Sequence, residues 1–246
     1  MRRVVLSEAD IHNGPLLLVR NGCPLHNSYR IQLTPLGGDN RVLMERRAAL
    51  LLSQAIRAAG GDGRIVPVSG YRSRREQEEL YGSCLLARGE AFTRQYVAAP
   101  GCSEHETGLA LDLADGTADI DPVCPSFPDT GIFEVFRRHA ATCGFIERYG
   151  RDKQALTGIA HEPWHFRYVG YPHALFMWEN NLCLEEYLTL LRRYPHNGKH
   201  LYYRQTEIFF AGAEAALPEL LLPEGCVQLS GNNTDGFIIT VWRQTV

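Results

Sequence analysis

A carboxylate stands inside an apolar, strand-like run: in GLALDLA, residues 108–114, Asp112 lies between Leu111 and Leu113. The alternation has the period of a β-strand. An unpaired carboxylate in such a strand is costly, so a salt bridge, hydrogen bonds or a metal must compensate it. The fold has to bring one of these to Asp112. His105 lies seven residues earlier. On one continuous strand that odd separation puts the two on opposite sides. Gly108 between them permits a turn or bulge, so both side chains can address one ion.

The flanking segments alternate between helical and extended patterns. Residues 41–59, RVLMERRAALLLSQAIRAA, predict a helix stopped by Gly60-Gly61. Residues 64–69 predict a strand that Pro67 assigns to an edge or end. A helix follows from Ser73, an N-cap with Glu76 three residues on. Residues 115–131, with their Pro, Gly and Asp, predict a loop, residues 132–143 a helix, and HFRYVG at 165–170 a strand. Residues 173–194 predict one amphipathic helix, and PLLLV at 15–19 a buried strand. Beyond Pro195 the pattern turns β-rich, with LYYRQTEIFF and SGNNTDGFIITVW. The expectation is an α+β fold, a small antiparallel sheet flanked by helices. The main domain is expected over 1–195, with a β-rich extension, 196–246, packed on it.

Composition limits the function classes. With 246 residues, 45% of them hydrophobic and 22% charged, the chain can bury a substantial core, which excludes a disordered chain, a collagen and a coiled coil. A net charge of −3 argues against a broad grip on nucleic acid or an anionic membrane. No apolar run approaches the ~18–20 residues of a membrane span. The opening MRRVVLSEADIHNG has too short an apolar stretch for a signal peptide. The seven cysteines are odd in number, scattered and without a C-x-x-C, which points to free thiols in a reducing compartment. A cytoplasmic location without a membrane anchor is the expectation.

Two further clusters carry chemistry. In HEPWHFRYVG, residues 161–170, Glu162 and His165 form an E-x-x-H, read as a loop entering a strand. Alone this spacing is weak. Joined to His105 and Asp112, it supplies two imidazoles, one carboxylate and one spare carboxylate, the composition of an open catalytic zinc site with a general base. In SGYRSRREQEEL, residues 69–80, Arg72 follows a strand and precedes a helix. It is either a surface arginine paired with Glu76 or a guanidinium over the site, where it holds an oxyanion or clamps a carboxylate. Gln77 faces the same cleft or solvent. Trp164 packs beside a substrate or in the core.

SGYRS at 69–73, the pattern S-x-H-x-x-G-x-A-x-D at 103–112 and EPWHFRYVG at 162–170, in this order and spacing, resemble the zinc D,D-peptidases of the vancomycin-resistance type. The family has carboxypeptidase, dipeptidase and two-activity members. The resemblance extends from GPLLLV at 14–19 to SGNNTDGFIIT at 230–240. It implies an α+β fold and hydrolysis at the D-Ala-D-Ala termini of peptidoglycan precursors. It implies His105, Asp112 and His165 as Zn2+ ligands and Glu162 as the base. It also implies Arg72, Gln77 and Ser103 as substrate contacts. His161 departs from the family pattern, standing where an aromatic residue is expected at the pocket edge. The partners implied are D-Ala-D-Ala or a D-Ala-terminated precursor, and not nucleic acid; a homodimer is an open assembly state. The loop 115–131 is expected to border the pocket and to choose between dipeptide and pentapeptide. The alternatives are a catalytically silent zinc protein that binds a peptide or partner, and an L,D- or endopeptidase of the same superfamily.

Overall fold

The computed structural model describes residues 2–36, 39–213, 219–223 and 225–243. The chain divides into two compact units: a larger one of residues 19–25 and 31–183, and a smaller one of 1–18, 26–30 and 184–246. In the smaller unit, β1 is Arg2–Val5. The larger unit then supplies β2 (Leu33–Leu36), β3 (Asp39–Glu45), α1 (Arg46–Ala58), β4 (Ile65–Ser69) and α2 (Arg74–Tyr96). It continues with β5 (Ala110–Asp115), α3 (Ile132–Thr142), β6 (Phe145–Tyr149), α4 (Gln154–Thr157), β7 (Glu162–Tyr168) and α5 (His173–Glu179). The smaller unit resumes with α6 (Leu184–Leu191), β8 (Leu201–Tyr203), β9 (Thr206–Gly212), β10 (Glu219–Leu222), β11 (Val227–Gly231) and β12 (Gly236–Trp242).

The larger unit is built on an antiparallel sheet in the order β4-β5-β7-β6. Pro67 sits in β4, an edge strand, where its missing N–H costs no ladder bond. Leu111 and Leu113 join Leu52 and Ile56 of α1 and Phe133 and Phe136 of α3 in one apolar core. The pleat turns Asp112, between those leucines, to the opposite face. There it stands across the ladder from His165 on one side and Ser69 on the other. Helix α2 starts as its sequence predicts: the Ser73 hydroxyl accepts from Glu76 N, and the Glu76 carboxylate accepts from Ser73 N at 2.8 Å.

Several elements differ from the sequence reading. Residues 41–45 belong to β3 instead of the first turn of a helix, because β3 pairs with β2 and buries Val42 and Met44 alternately. Helix α1 starts only at Arg46, where the Glu45 side chain caps Ala48 N at 2.9 Å. The helix expected over 173–194 is broken into α5 and α6 at Asn181, which takes a left-handed φ of 49°. PLLLV buries Leu16, Leu17 and Val19 but forms no strand. Strand β7 starts at Glu162 and not at His165.

The smaller unit holds the sheet β11-β12-β9-β8 and the two-stranded ladder β1-β10, around a core that includes Phe209, Phe237 and Ile239. Its extent differs from the expected division at 195/196. The ladder Arg2↔Leu222 to Val5↔Glu219 ties the first strand to the late β-rich region, and Leu18 N donates to Asn232 O at 3.1 Å. Among the described residues, no helix is long and apolar enough to cross a membrane.

Candidate active site

Asp112 and His165 are cross-strand partners on β5 and β7, so their side chains share a face. His105 reaches them from a 3-10 turn, Glu104–Thr107. That turn ends at Gly108 with φ +63°, and a Cβ there would collide with the Ile31 side chain. The glycine therefore makes the break that lets residues an odd number apart converge. Glu162 and His165 meet through a different irregularity. Between the pairs Glu147↔Phe166 and Tyr149↔Glu162, β7 carries two more residues than β6. The bulge re-aims Glu162 toward the face of His165, with Oε2 3.8 Å from His165 Nδ1.

One donor atom each from His105, Asp112 and His165 lie within 4.8 Å of one another, and all three residues are buried. His105 Nδ1 is 2.7 Å from the Gly70 carbonyl, which leaves Nε2 for the cluster, 3.3 Å from Asp112 Oδ2. His165 presents Nδ1, 3.1 Å from Asp112 Oδ1. Burial works against the charge on Asp112, but the two imidazoles outweigh it and hold the carboxyl well below its usual range. Burial likewise lowers His165, yet its bond to Asp112 and the Glu104 carboxylate beside it raise it to about 9. Both shifts come from one buried carboxylate–imidazole cluster whose members stabilise each other's charge. Glu162 is pushed well above the usual carboxylate range by burial and by Asp112 and Glu104, against His165.

A cavity of about 40 Å³ opens over these groups, lined also by Arg72, Gln77, Ser103 and Trp164. Arg72 is no surface partner of Glu76. It is half-buried, donating from Nη1 to Gln77 Oε1 at 2.8 Å and from Nη2 to Ser69 Oγ at 2.7 Å. Burial pulls its pKa down, with Asp112 and Glu162 opposing. Gln77 is buried, and its Nε2 donates to Ala98 O at 2.8 Å, so its amide orients Arg72. Ser103 is buried at the start of the His105 turn. Trp164 fills both expected places: it belongs to the apolar core, stacks on Tyr96 at 6.5 Å and lines the cavity. Pro122 and Val123 bring the loop 115–131 to the cavity wall. His161 is not among the lining residues; its Nε2 lies 3.3 Å from Glu147 Oε1.

The sequence reading missed Glu104, Arg148 and Arg167. Glu104 Oε1 lies 2.8 Å from both Arg148 Nε and Arg167 Nη1, with all three side chains fully buried. A partial signal was available: Arg167 stands between Phe166 and Tyr168 in HFRYVG, much as Asp112 stands between leucines, whereas Arg148 in FIERY follows another charged residue, Glu147. Tyr149, whose ring centroid is 4.8 Å from that of His165, was also missed.

Comparison with known proteins bears on this site. The profile of the VanY family, D-alanyl-D-alanine carboxypeptidase, matches residues 41–171. The chain is 40% identical over 176 residues to the bifunctional D-Ala-D-Ala dipeptidase and D-Ala-D-Ala carboxypeptidase VanXYC of Enterococcus gallinarum, covering 70% of this chain and 92% of that protein. Its structure matches that of the vancomycin-resistance D,D-dipeptidase VanXYg, solved with a D-Ala-D-Ala phosphinate analogue. The TM-score is 0.93 at 43% identity, over 98% of this chain and 99% of the other. It also matches a vancomycin-resistance D,D-pentapeptidase VanY solved with Zn(II), with a TM-score of 0.60 at 32% identity, over 71% of this chain and 98% of the other.

Proposed function

Because the chain belongs to the VanY family of D-alanyl-D-alanine carboxypeptidases, we propose that it is a zinc-dependent D,D-peptidase that hydrolyses the peptide bond at D-Ala-D-Ala termini. The reading rests on one observation: three donor atoms from His105, Asp112 and His165 within 4.8 Å, with the Glu162 carboxylate beside them. Two imidazoles and one carboxylate, with a side open to a cavity, match the ligand set of catalytic zinc. The fit extends behind the ligands, since the Gly70 carbonyl fixes the His105 ring with Nε2 turned inward.

Bound by these three residues, zinc would supply Lewis-acid polarisation of the scissile carbonyl and acidify a water. Glu162 takes the proton of the attacking water and returns it to the leaving amine nitrogen. Arg72, oriented by Gln77 and Ser69, offers its guanidinium to the negative charge that develops on the carbonyl oxygen. Tyr96, Trp164 and Val123 supply apolar wall for alanine methyl groups and exclude bulk water. Ser103, on the same wall, offers a hydroxyl to the peptide backbone.

The test is release of D-Ala by zinc-loaded protein from three peptides: D-Ala-D-Ala, a pentapeptide ending in D-Ala-D-Ala, and a tetrapeptide with an L,D terminal bond. D-Ala from either of the first two is the expected result. Cleavage of the tetrapeptide alone makes the chain an L,D-peptidase. No cleavage of any peptide by protein carrying stoichiometric zinc makes it a silent binding protein.

A further inference from the structure

Glu104 opens the turn that carries His105, and its side chain is fully shielded from solvent. Its Oε1 accepts from Arg148 Nε at 2.8 Å and lies 2.8 Å from Arg167 Nη1. Both arginines come from the sheet: Arg167 pairs with Ala110 and Ile146 on the neighbouring strands, and Arg148 sits at the register shift of β6. The carboxylate is therefore held from two directions by groups the sheet fixes. Its other oxygen, Oε2, is 3.6 Å from His165 Nε2, just beyond hydrogen-bond distance. Neither of these two buried atoms makes a hydrogen bond among the described residues. Buried polar atoms without partners are rare and costly. Two of them facing each other mark a bond that a small movement of the imidazole completes.

The two histidines turn opposite nitrogens to the cluster. His105 offers Nε2 and has the neutral Gly70 carbonyl behind Nδ1. His165 offers Nδ1 and has a carboxylate behind Nε2. We propose that Glu104 is a positioning residue of the metal centre: clamped by Arg148 and Arg167, its carboxylate accepts a hydrogen bond from the Nε2–H of His165 and so commits Nδ1 to the metal. A carboxylate behind a ligand imidazole fixes the tautomer and ring orientation and makes the ring a better donor. It also offsets charge on the two guanidiniums buried with it. The inference rests on the metal-site reading above and adds a residue that touches neither metal nor substrate.

The test measures zinc affinity by chelator competition, in wild type and in Glu104→Gln, together with the absorption spectrum of the cobalt-substituted proteins. The variant keeps the shape of the side chain and loses its charge. Zinc binding roughly ten- to hundredfold weaker, with a shifted cobalt spectrum, is expected. A lower melting temperature of the metal-free variant with zinc affinity and cobalt spectrum unchanged makes Glu104 merely structural and overturns the proposal. A second measurement needs no variant: histidine-selective 15N NMR of the zinc-loaded wild type. One metal-bound ring should carry its proton on Nδ1 and the other on Nε2, the latter proton strongly deshielded by a carboxylate. Two rings both protonated on Nδ1 overturn the proposal. Wild-type protein that binds no zinc removes the metal site itself, and with it this inference, a result distinct from a zinc-binding wild type with an indifferent Glu104→Gln.

Discussion

Glu162 and His165 lie three residues apart, yet the bulge in β7 gives them one target and different tasks. Exchange of Glu162 for Gln keeps shape and hydrogen bonding but removes the proton acceptor. Zinc content should hold while turnover falls roughly 10²–10⁴-fold, the span of a lost acid–base group. Near-normal turnover at saturating substrate removes Glu162 from the reaction. His105→Ala should lose both metal and activity, because an imidazole and its Gly70 anchor go together. Zinc kept stoichiometrically by a His105→Ala, His165→Ala double variant overturns the ligand assignment. Arg72 separates two roles. If it stabilises the developing oxyanion, Arg72→Ala should lower kcat roughly 10²–10³-fold, and Arg72→Lys, which lacks the planar fork that reaches Gln77 and Ser69, should also lose turnover. A change in KM alone makes Arg72 a clamp for the terminal carboxylate.

At the scale of elements, the loop 115–131 reaches the cavity by way of Asp121. That carboxylate accepts from Val123 N at 2.8 Å and Cys124 N at 3.1 Å, and takes Arg88 Nη2 at 2.8 Å from α2. The short turn presents Pro122 and Val123 to the cavity wall. Val123→Ala should change the ratio of D-Ala-D-Ala to pentapeptide cleavage while zinc stays bound; an unchanged ratio makes the loop a spacer. The elements also show which parts of the fold local sequence carries. The capping box at Ser73 and Glu76, the stop at Gly60 and the edge position of Pro67 are legible because each depends on residues within one turn or strand. Asp112 is legible as an anomaly, since a carboxylate between two core leucines needs a partner. β3 is not, because its identity comes from pairing with β2, and RVLMERR in isolation is a good helix former. The bulge that aims Glu162 is equally hidden: it is a mismatch between two strands, and neither strand alone records it. Glu104 escapes notice because its partners lie 44 and 63 residues away, at Arg148 and Arg167.

For the molecule as a whole, stability against acid reflects every group whose proton affinity changes on folding. His173, at the start of α5, is fully buried, and burial alone pushes its pKa down to about 3, from 6.5 when unperturbed. Between those two values the unfolded chain binds this proton and the folded chain does not. Stability therefore rises with pH across that window, is complete above 6.5 and drains away as the pH falls toward 3. At about 1.4 kcal/mol per pH unit, the drop from the unperturbed pKa to pH ~5 removes about 2 kcal/mol through this one residue. The metal ligands also titrate on folding, so the measurement uses metal-free protein and a difference between variants. Urea unfolding of wild type and His173→Gln at neutral pH and at pH ~5 should show a loss on acidification about 2 kcal/mol larger in the wild type. The carboxylates near the cavity and the rest of the charge pattern are the same in both proteins and cancel. Equal losses in the two proteins assign the acid sensitivity to groups other than His173.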